Sequence, residues 1–454
     1  MGHKRKSKLP KLNKTLPTST SPPPIIGENQ VKEDANLLLL PKERPNLKQI
    51  KTTDSILISS GYSILNKAAT SLFLILLCVG IIRMILLLDF DKTNVFNHKP
   101  GVCRVVHNLV NGTHHMEYVS KLGILFITQP PSISSLLIPS KFDAESGSIF
   151  VLHIKNDENA KNKKFDNFVA TKLNIEIKNS SIFNKSTFHP LGLSSTIYKS
   201  RITLYVVNGN PGKNTIEVFS YIQKYEKLIH LKTISDESFQ SLRDVHVFNG
   251  GERLLLINSF YFKKSFLQMI EIGLQINSGN LLFFDGKKSK IIDKSVAFPT
   301  SIAVDNERNF VYVSSYTSEV IKKYKMERDF TLYPMGEIPL MSSPHQIIVE
   351  SKSGDIWTAA NPVFYRSFSF WNTLIESISP NNNNNQTSIK NAPSHILRVR
   401  FQEDKKSWVI TEPFSNDGSS ISSATSIALI GDLFALGSKN GKTFICQMNN
   451  LLLA

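Results

Sequence analysis

MEYVSKLGILFIT at 116–128, LGLSSTIYKSRITLYVVN at 191–208, DVHVFNGGERLLLIN at 244–258, SIAVDNERNFVYVSS at 301–315, QIIVESKSGDIWTAA at 346–360 and SIALIGDLFALGS at 426–438 share one pattern. Each is a short apolar strand, a polar turn and a second apolar strand. A third strand often follows, as in TIEVFSYI at 215–222 and VIKKYKM at 320–326. The repeats start 75, 53, 57, 45 and 80 residues apart. Units of about 40–50 residues with up to four strands each are the mark of a β-propeller. The two long intervals contain polar loops at 155–187 and 377–395, the second with five consecutive Asn. A β-sandwich also uses short strands, but it does not repeat six times at this spacing. Residues 100–454 are therefore expected to form an all-β, six-bladed β-propeller with almost no helix. The Ser/Thr-rich run 418–426 reads as loop.

Upstream of the repeats, AATSLFLILLCVGIIRMILLL (68–88) has a single charge, Arg83, in 21 residues. As a helix it is about 30 Å long, enough for the hydrocarbon core. Arg83 lies near one end, where its side chain can reach the interface. With 67 residues ahead of it and a length beyond a normal h-region, the run does not fit a cleaved leader. A single transmembrane helix is expected. Residues 1–67 hold 12 Lys/Arg against 5 Asp/Glu and mix Lys, Ser, Thr and Pro with few aromatics. That profile predicts a disordered basic tail, and the positive-inside rule puts it in the cytosol. The layout is that of a single-pass type II protein of the endoplasmic reticulum or plasma membrane, with 100–454 lumenal or extracellular.

Topology also accounts for much of the charge. The chain of 454 residues carries 53 Lys/Arg and 37 Asp/Glu, a net +16. Such a balance usually suggests nucleic acid. Here the basic excess is concentrated ahead of a membrane span, and no basic stripe interleaved with aromatics occurs, so no nucleic-acid partner is expected. A hydrophobic fraction of 41% excludes both a wholly disordered chain and a polytopic membrane protein.

Cys78 lies in the span, which leaves Cys103 just before the first repeat and Cys446 in the last strand. A propeller joins its two chain ends in one blade, so a disulfide there would lock the ring, and an oxidising lumen permits it. Two unrelated thiols are the alternative. Glycosylation sequons stand at Asn111, Asn179, Asn184 and Asn385, the last three in loops.

The outer domain resembles the paraoxonase/arylesterase family. The resemblance is carried by VVN at 206–208, EVFSYIQKYEKLIHLKTI at 217–234, FVYVSS at 310–315, SGDIW at 353–357 and the pair Cys103 and Cys446, in order over about 100–454. It implies a six-bladed propeller with a catalytic and a structural calcium in its central tunnel. It also implies hydrolysis of lactones and aryl esters, the catalytic calcium polarising the carbonyl and a histidine pair assisting water. Most of that machinery does not carry over. The family's Glu-Asp pair falls on His114 and His115, and its Asn-Asp pair on Arg243 and Asp244. The tunnel Asn becomes Thr300, and the Asp-Asn pair becomes His345 and Gln346. The two histidine positions read Leu191 and Gly209.

Calcium takes six to eight oxygen ligands, usually including carboxylates. Arg243 beside a dication opposes binding by several kcal/mol even at an effective dielectric of about 20. No metal or other cofactor is expected, calcium entering only if an altered site survives, and no catalytic residue is expected. Leu191 and Gly209 can neither take nor give a proton. Instead, Arg243 is expected in the catalytic calcium's place, with Asp244 pairing with His115 or Arg243. The sharper alternative is a transition-metal site on His114, His345 and His115. Tail, span and propeller together are similar to nematode paraoxonase-like membrane proteins that assist degenerin-type sodium channels. The resemblance points to a catalytically silent partner or chaperone, with an ion-channel subunit as its protein partner. The competing reading is an arylesterase or lactonase with a metal in the tunnel.

Overall fold

The computed structural model describes residues 47–92, 95–109, 112–131, 146–154, 167–177, 183–210, 212–248, 250–367, 391–402, 407–439 and 441–448. Each of the six quoted repeats forms the two inner strands of one blade. Their innermost strands are His115–Val119, Pro190–Tyr198, Leu242–Val247, Pro299–Asp305, Ser343–Val349 and Ala424–Ile430. Each adjoins the next, and the first touches the sixth, so the ring is closed. The four inner strands of every blade are antiparallel, as in Pro299–Asp305, Phe310–Ser315, Val320–Met326 and Leu332–Pro339 of the fourth, and the second and sixth blades add a fifth strand in parallel, Asn174–Ile177 and Phe168–Val169.

Closure follows the expected route. The sixth blade takes its fourth strand, Cys103–His107, from the start of the domain, with Cys103 in register with Cys446. The two are bonded across a separation of 343 residues.

The strands are apolar on both faces because each sheet is packed between two others. Phe126 and Ile149 of the first blade meet Leu204 and Phe219 of the second, while Leu125 and Ile127 meet Ala428 and Ala435 of the sixth. The other interfaces repeat this, with Val218 against Leu254, Ile257 against Val311, Tyr312 against Leu397 and Trp357 against Phe434. Side chains of one strand alternate between the faces, so runs such as LLLIN have no polar side to offer.

Two helical features differ from the expectation. Helix α1 spans Leu47–Leu87 and so includes residues 47–67, which were expected in the disordered tail; residues 1–46 lie outside the described residues. The nearest upstream helix breaker is Pro45, and extending a formed helix is far easier than nucleating one. Within α1, Tyr62–Leu87 is long and apolar enough to cross a membrane, with Phe73, Leu76 and Ile82 exposed. A second helix, α2 (Ser265–Gly273), interrupts the third blade. Its nine residues are too few for a clear 3.6-residue period. Leu87 and Leu88 pack with Met269 and Ile272 of α2 and with Phe298, Tyr316 and Phe364, anchoring the end of α1 on one face of the propeller. Asp89 accepts from Phe364 N at 3.0 Å, and Lys92 bridges Asp89 at 2.8 Å and Glu319 at 3.5 Å.

Candidate site at the propeller axis

The residues singled out from the sequence converge on the axis because they sit at the same end of the innermost strands. His114 and His115 open the first blade, Leu191 lies in the second, and Arg243 and Asp244 in the third. Thr300 lies in the fourth, His345 and Gln346 in the fifth, and Gly209 follows the second strand of the second blade.

Asp244 is fully buried and engaged on both oxygens. Oδ1 accepts from Val245 N at 2.9 Å and faces His115 Nδ1 at 3.4 Å. Oδ2 accepts from Ser301 Oγ at 2.8 Å and Ile302 N at 3.0 Å. The carboxylate thus joins the first, third and fourth blades. Gln346 joins the first, fifth and sixth. Its Nε2 donates to Met116 O at 2.7 Å and lies 3.1 Å from His115 Nε2. Its Oε1 accepts from Met116 N at 3.1 Å and Ile427 N at 3.2 Å. Because Gln346 donates to His115 Nε2, the ring proton belongs on Nδ1, aimed at Asp244. Burial pulls the His115 pKa down, against the pull of Asp244, which keeps this neutral tautomer. Thr300 Oγ1 donates to Pro344 O at 2.9 Å, and Thr128 Oγ1 to Leu191 O at 2.7 Å.

The charge balance changes toward the mouth. Arg243 forms no ion pair or hydrogen bond among the described residues, and its Nε is buried without a partner. Burial pushes it down to about 10, opposed by Asp244, so it remains charged at neutral pH. Both ring nitrogens of His114 are also buried and unpartnered. The His114 and His345 rings meet edge-on at 6.3 Å, and His345 meets Tyr316 at 5.2 Å. Burial and then the Arg243 charge hold His114 and His345 well below the usual histidine range. The same two causes push His189 down to about 4. In the other direction along the first strand, Glu117 accepts from Ser195 N and Oγ and is pushed up to about 7 by burial.

This donor set does not fit calcium. It offers one carboxylate, already saturated by protein donors, beside an unpaired guanidinium, where a hard cation needs several free oxygens. No group of three His, Cys, Asp or Glu side chains able to hold a metal occurs among the described residues. His115 also has both ring nitrogens committed, which removes it from the transition-metal alternative. A Cβ at Gly209 would collide with Leu191 Cδ1, so the apolar Leu191 side chain occupies that space.

Sequence reasoning missed several participants. His189 immediately precedes the strand that carries Leu191, and that adjacency was its only signal. Tyr316 follows the FVYVSS strand. Thr425, within the run read as loop, belongs to the innermost strand of the sixth blade, where its Oγ1 donates to Thr113 O at 2.6 Å. Among the sequons, Asn184 is exposed and caps a short 3-10 turn through Ser186 N at 3.0 Å. Asn111, Asn179 and Asn385 lie outside the described residues.

A closed six-bladed propeller, tied at its ends by a disulfide and preceded by an apolar helix of membrane-spanning length, with its polar centre at the axis, defines the class of molecule. The chain belongs to the arylesterase family, whose model matches residues 95–448. It is 32% identical over 393 residues to Mechanosensory abnormality protein 6 of Caenorhabditis elegans, covering 86% of this chain and 98% of that one. It is 25% identical over 352 residues to serum paraoxonase/lactonase 3 of Oryctolagus cuniculus, covering 77% and 90% respectively. To serum paraoxonase/arylesterase 1 of Homo sapiens it is 23% identical over 351 residues, covering 76% and 88%.

Proposed function

We propose that this chain is a membrane-anchored, non-hydrolytic member of the arylesterase family that acts by binding other membrane proteins. The observation that carries the reading is the pair Arg243 and Asp244. An unpaired guanidinium occupies the axis, and the one carboxylate beside it is spent on Ser301, Ile302, Val245 and His115. In this reading His114, His115, Arg243, Asp244, Thr300, His345 and Gln346 stand at the family's calcium positions, and protein–protein hydrogen bonds cross-link the blades in place of ions. Leu191 and Gly209, at the family's histidine positions, have no proton to move.

The proposed topology is single-pass type II. The basic tail is cytosolic, Tyr62–Leu87 spans the bilayer and the glycosylated propeller faces the lumen or exterior. A rigid propeller face beside the span suits contact with the outer domain of a membrane protein folding in the same bilayer. The nematode resemblance makes an ion-channel subunit the first candidate, met in the endoplasmic reticulum or at the plasma membrane. The test has two arms on the full chain. Purified in detergent with added calcium, it should not hydrolyse phenyl acetate or a lactone above a heat-killed control. Co-expressed with a nematode degenerin-type channel, it should raise the surface fraction of channel. Calcium-dependent turnover would replace the proposal with a working esterase, and an unchanged surface fraction would remove the channel as partner.

A further inference from the structure

A buried charge without a partner is among the least favourable features a fold can carry. Arg243, half-buried with its Nε enclosed and unpartnered, comes close to such a charge. Unlike a lysine or histidine, it cannot shed its proton at neutral pH. The neighbours that could neutralise it do not. Asp244 already serves two donors on Oδ2 and has Val245 N and His115 on Oδ1. Tyr316 Oη lies 2.7 Å from Ser367 Oγ and accepts from Asn361 Nδ2 at 3.2 Å. What stands near the guanidinium instead is neutral imidazole with a spare N–H. His114 has both ring nitrogens unpartnered, so in either tautomer one N–H points at no acceptor. His345 stands beside it, and the charge of Lys439 reaches His345 as well. The mouth is not fully sealed, since Arg243, His114 and His189 are part-exposed as residues, although the His114 ring nitrogens and Arg243 Nε are themselves buried. An unpartnered guanidinium with a spare imidazole N–H beside it, at a mouth that is not fully sealed, is complementary to a negative ligand.

We infer that the axis mouth binds an oxyanion, a phosphate or a carboxylate, on the Arg243 guanidinium with His114 and His345 as supporting donors. The inference goes beyond the proposed partner role and stands whether or not that role holds. Two sources could supply the same chemistry, a free anion or the phosphate of a lipid headgroup. The second arises because Leu87 and Leu88, at the end of the apolar helix, share one packed cluster with Tyr316 at this mouth.

The test uses the full chain in nanodiscs of neutral lipid. Sodium phosphate is titrated calorimetrically at an ionic strength held constant with chloride. Saturable binding is expected in the wild type. Arg243→Met, which keeps the apolar stem, should weaken it by about tenfold or more, and Arg243→Lys should retain part. His114→Phe is the second variant. It removes no hydrogen bond made within the protein, so it should fold while lowering phosphate affinity. In a parallel arm, phosphatidic acid is placed in the nanodisc without free phosphate and the thermal midpoint is read. An Arg243-dependent rise there supports the site and assigns it to lipid; an Arg243-dependent response to free phosphate alone supports it as a soluble-anion site. No response in either arm, or a response unchanged in both Arg243→Met and His114→Phe, overturns the inference.

Discussion

Asp244→Asn exchanges one carboxylate oxygen for an amide nitrogen at the most constrained point of the axis. With the amide nitrogen in the Oδ2 position, Ser301 can rotate its hydroxyl to accept, but the Ile302 N–H, now at 3.0 Å from Oδ2, loses its acceptor. In the opposite flip the Val245 N–H is orphaned and the amide also confronts the His115 Nδ1–H. Either way one buried backbone donor is left unsatisfied, worth about 1–3 kcal/mol, and bonds that were charge-assisted become neutral. Arg243 also loses the carboxylate that partly offsets its charge. The expected loss is about 3 kcal/mol. For a domain of about 350 residues the unfolding entropy is about 0.7 kcal/mol per degree, so the midpoint should fall by about 4 °C. The assay is thermal unfolding of the full chain in detergent, followed by tryptophan fluorescence. A double-mutant cycle with Arg243→Met supplies the sharper reading. Removing the unpaired cation as well should recover part of the loss, so the two effects should not add. A midpoint within a degree of wild type, or strictly additive changes, would refute the account of the axis.

Other perturbations reach different parts of the same argument. Gln346→Leu strips partners from Met116 N, Met116 O, Ile427 N and His115 Nε2 together, and should lower stability by about 3 kcal/mol or more in the same assay; a neutral effect would mean water replaces the amide. Cys103→Ser with Cys446→Ser opens a loop closed across 343 residues, for which chain entropy gives about 6 kcal/mol. A midpoint drop of several degrees is expected, and reductant should produce the same drop in the wild type; a wild-type midpoint equal with and without reductant would contradict it. Glu117→Gln probes pH. Because the folded pKa is raised to about 7, the ionised carboxylate burdens the native state above that pH, and the burden fades as pH falls toward the unfolded value. Both Ser195 bonds go to one oxygen, which glutamine retains. The variant should therefore be more stable than wild type by about 2–3 kcal/mol at pH 8 and equal to it near pH 4; a pH-independent difference would assign the effect to packing.

The blades were legible because a two-strand hairpin with a polar turn leaves a local mark, and six such marks in one chain specify a ring. The closing strand Cys103–His107 was legible only through its cysteine, since five residues carry no period of their own. Helix α2 escaped because Met269 and Ile272 are buried while Phe266 and Ile270 are exposed, so apolar residues occupy both faces and blur the pattern. At the axis the sequence pointed to His114, Arg243 and His345 as departures from a metal site. It could not reveal that Asp244 and Gln346 each bind three blades, nor that Arg243 is left without a partner. Those facts depend on which strands meet across the tunnel, and residues 57 apart, such as Asp244 and Ser301, have no local signal linking them.

The central claim is that side chains, not calcium, hold the propeller axis. Its most direct test is elemental analysis of the full chain, purified in detergent, equilibrated with millimolar calcium and passed through a desalting column. The account predicts calcium far below one ion per chain and a thermal midpoint unmoved by chelator. Stoichiometric calcium, with a midpoint that falls when it is removed, would contradict it.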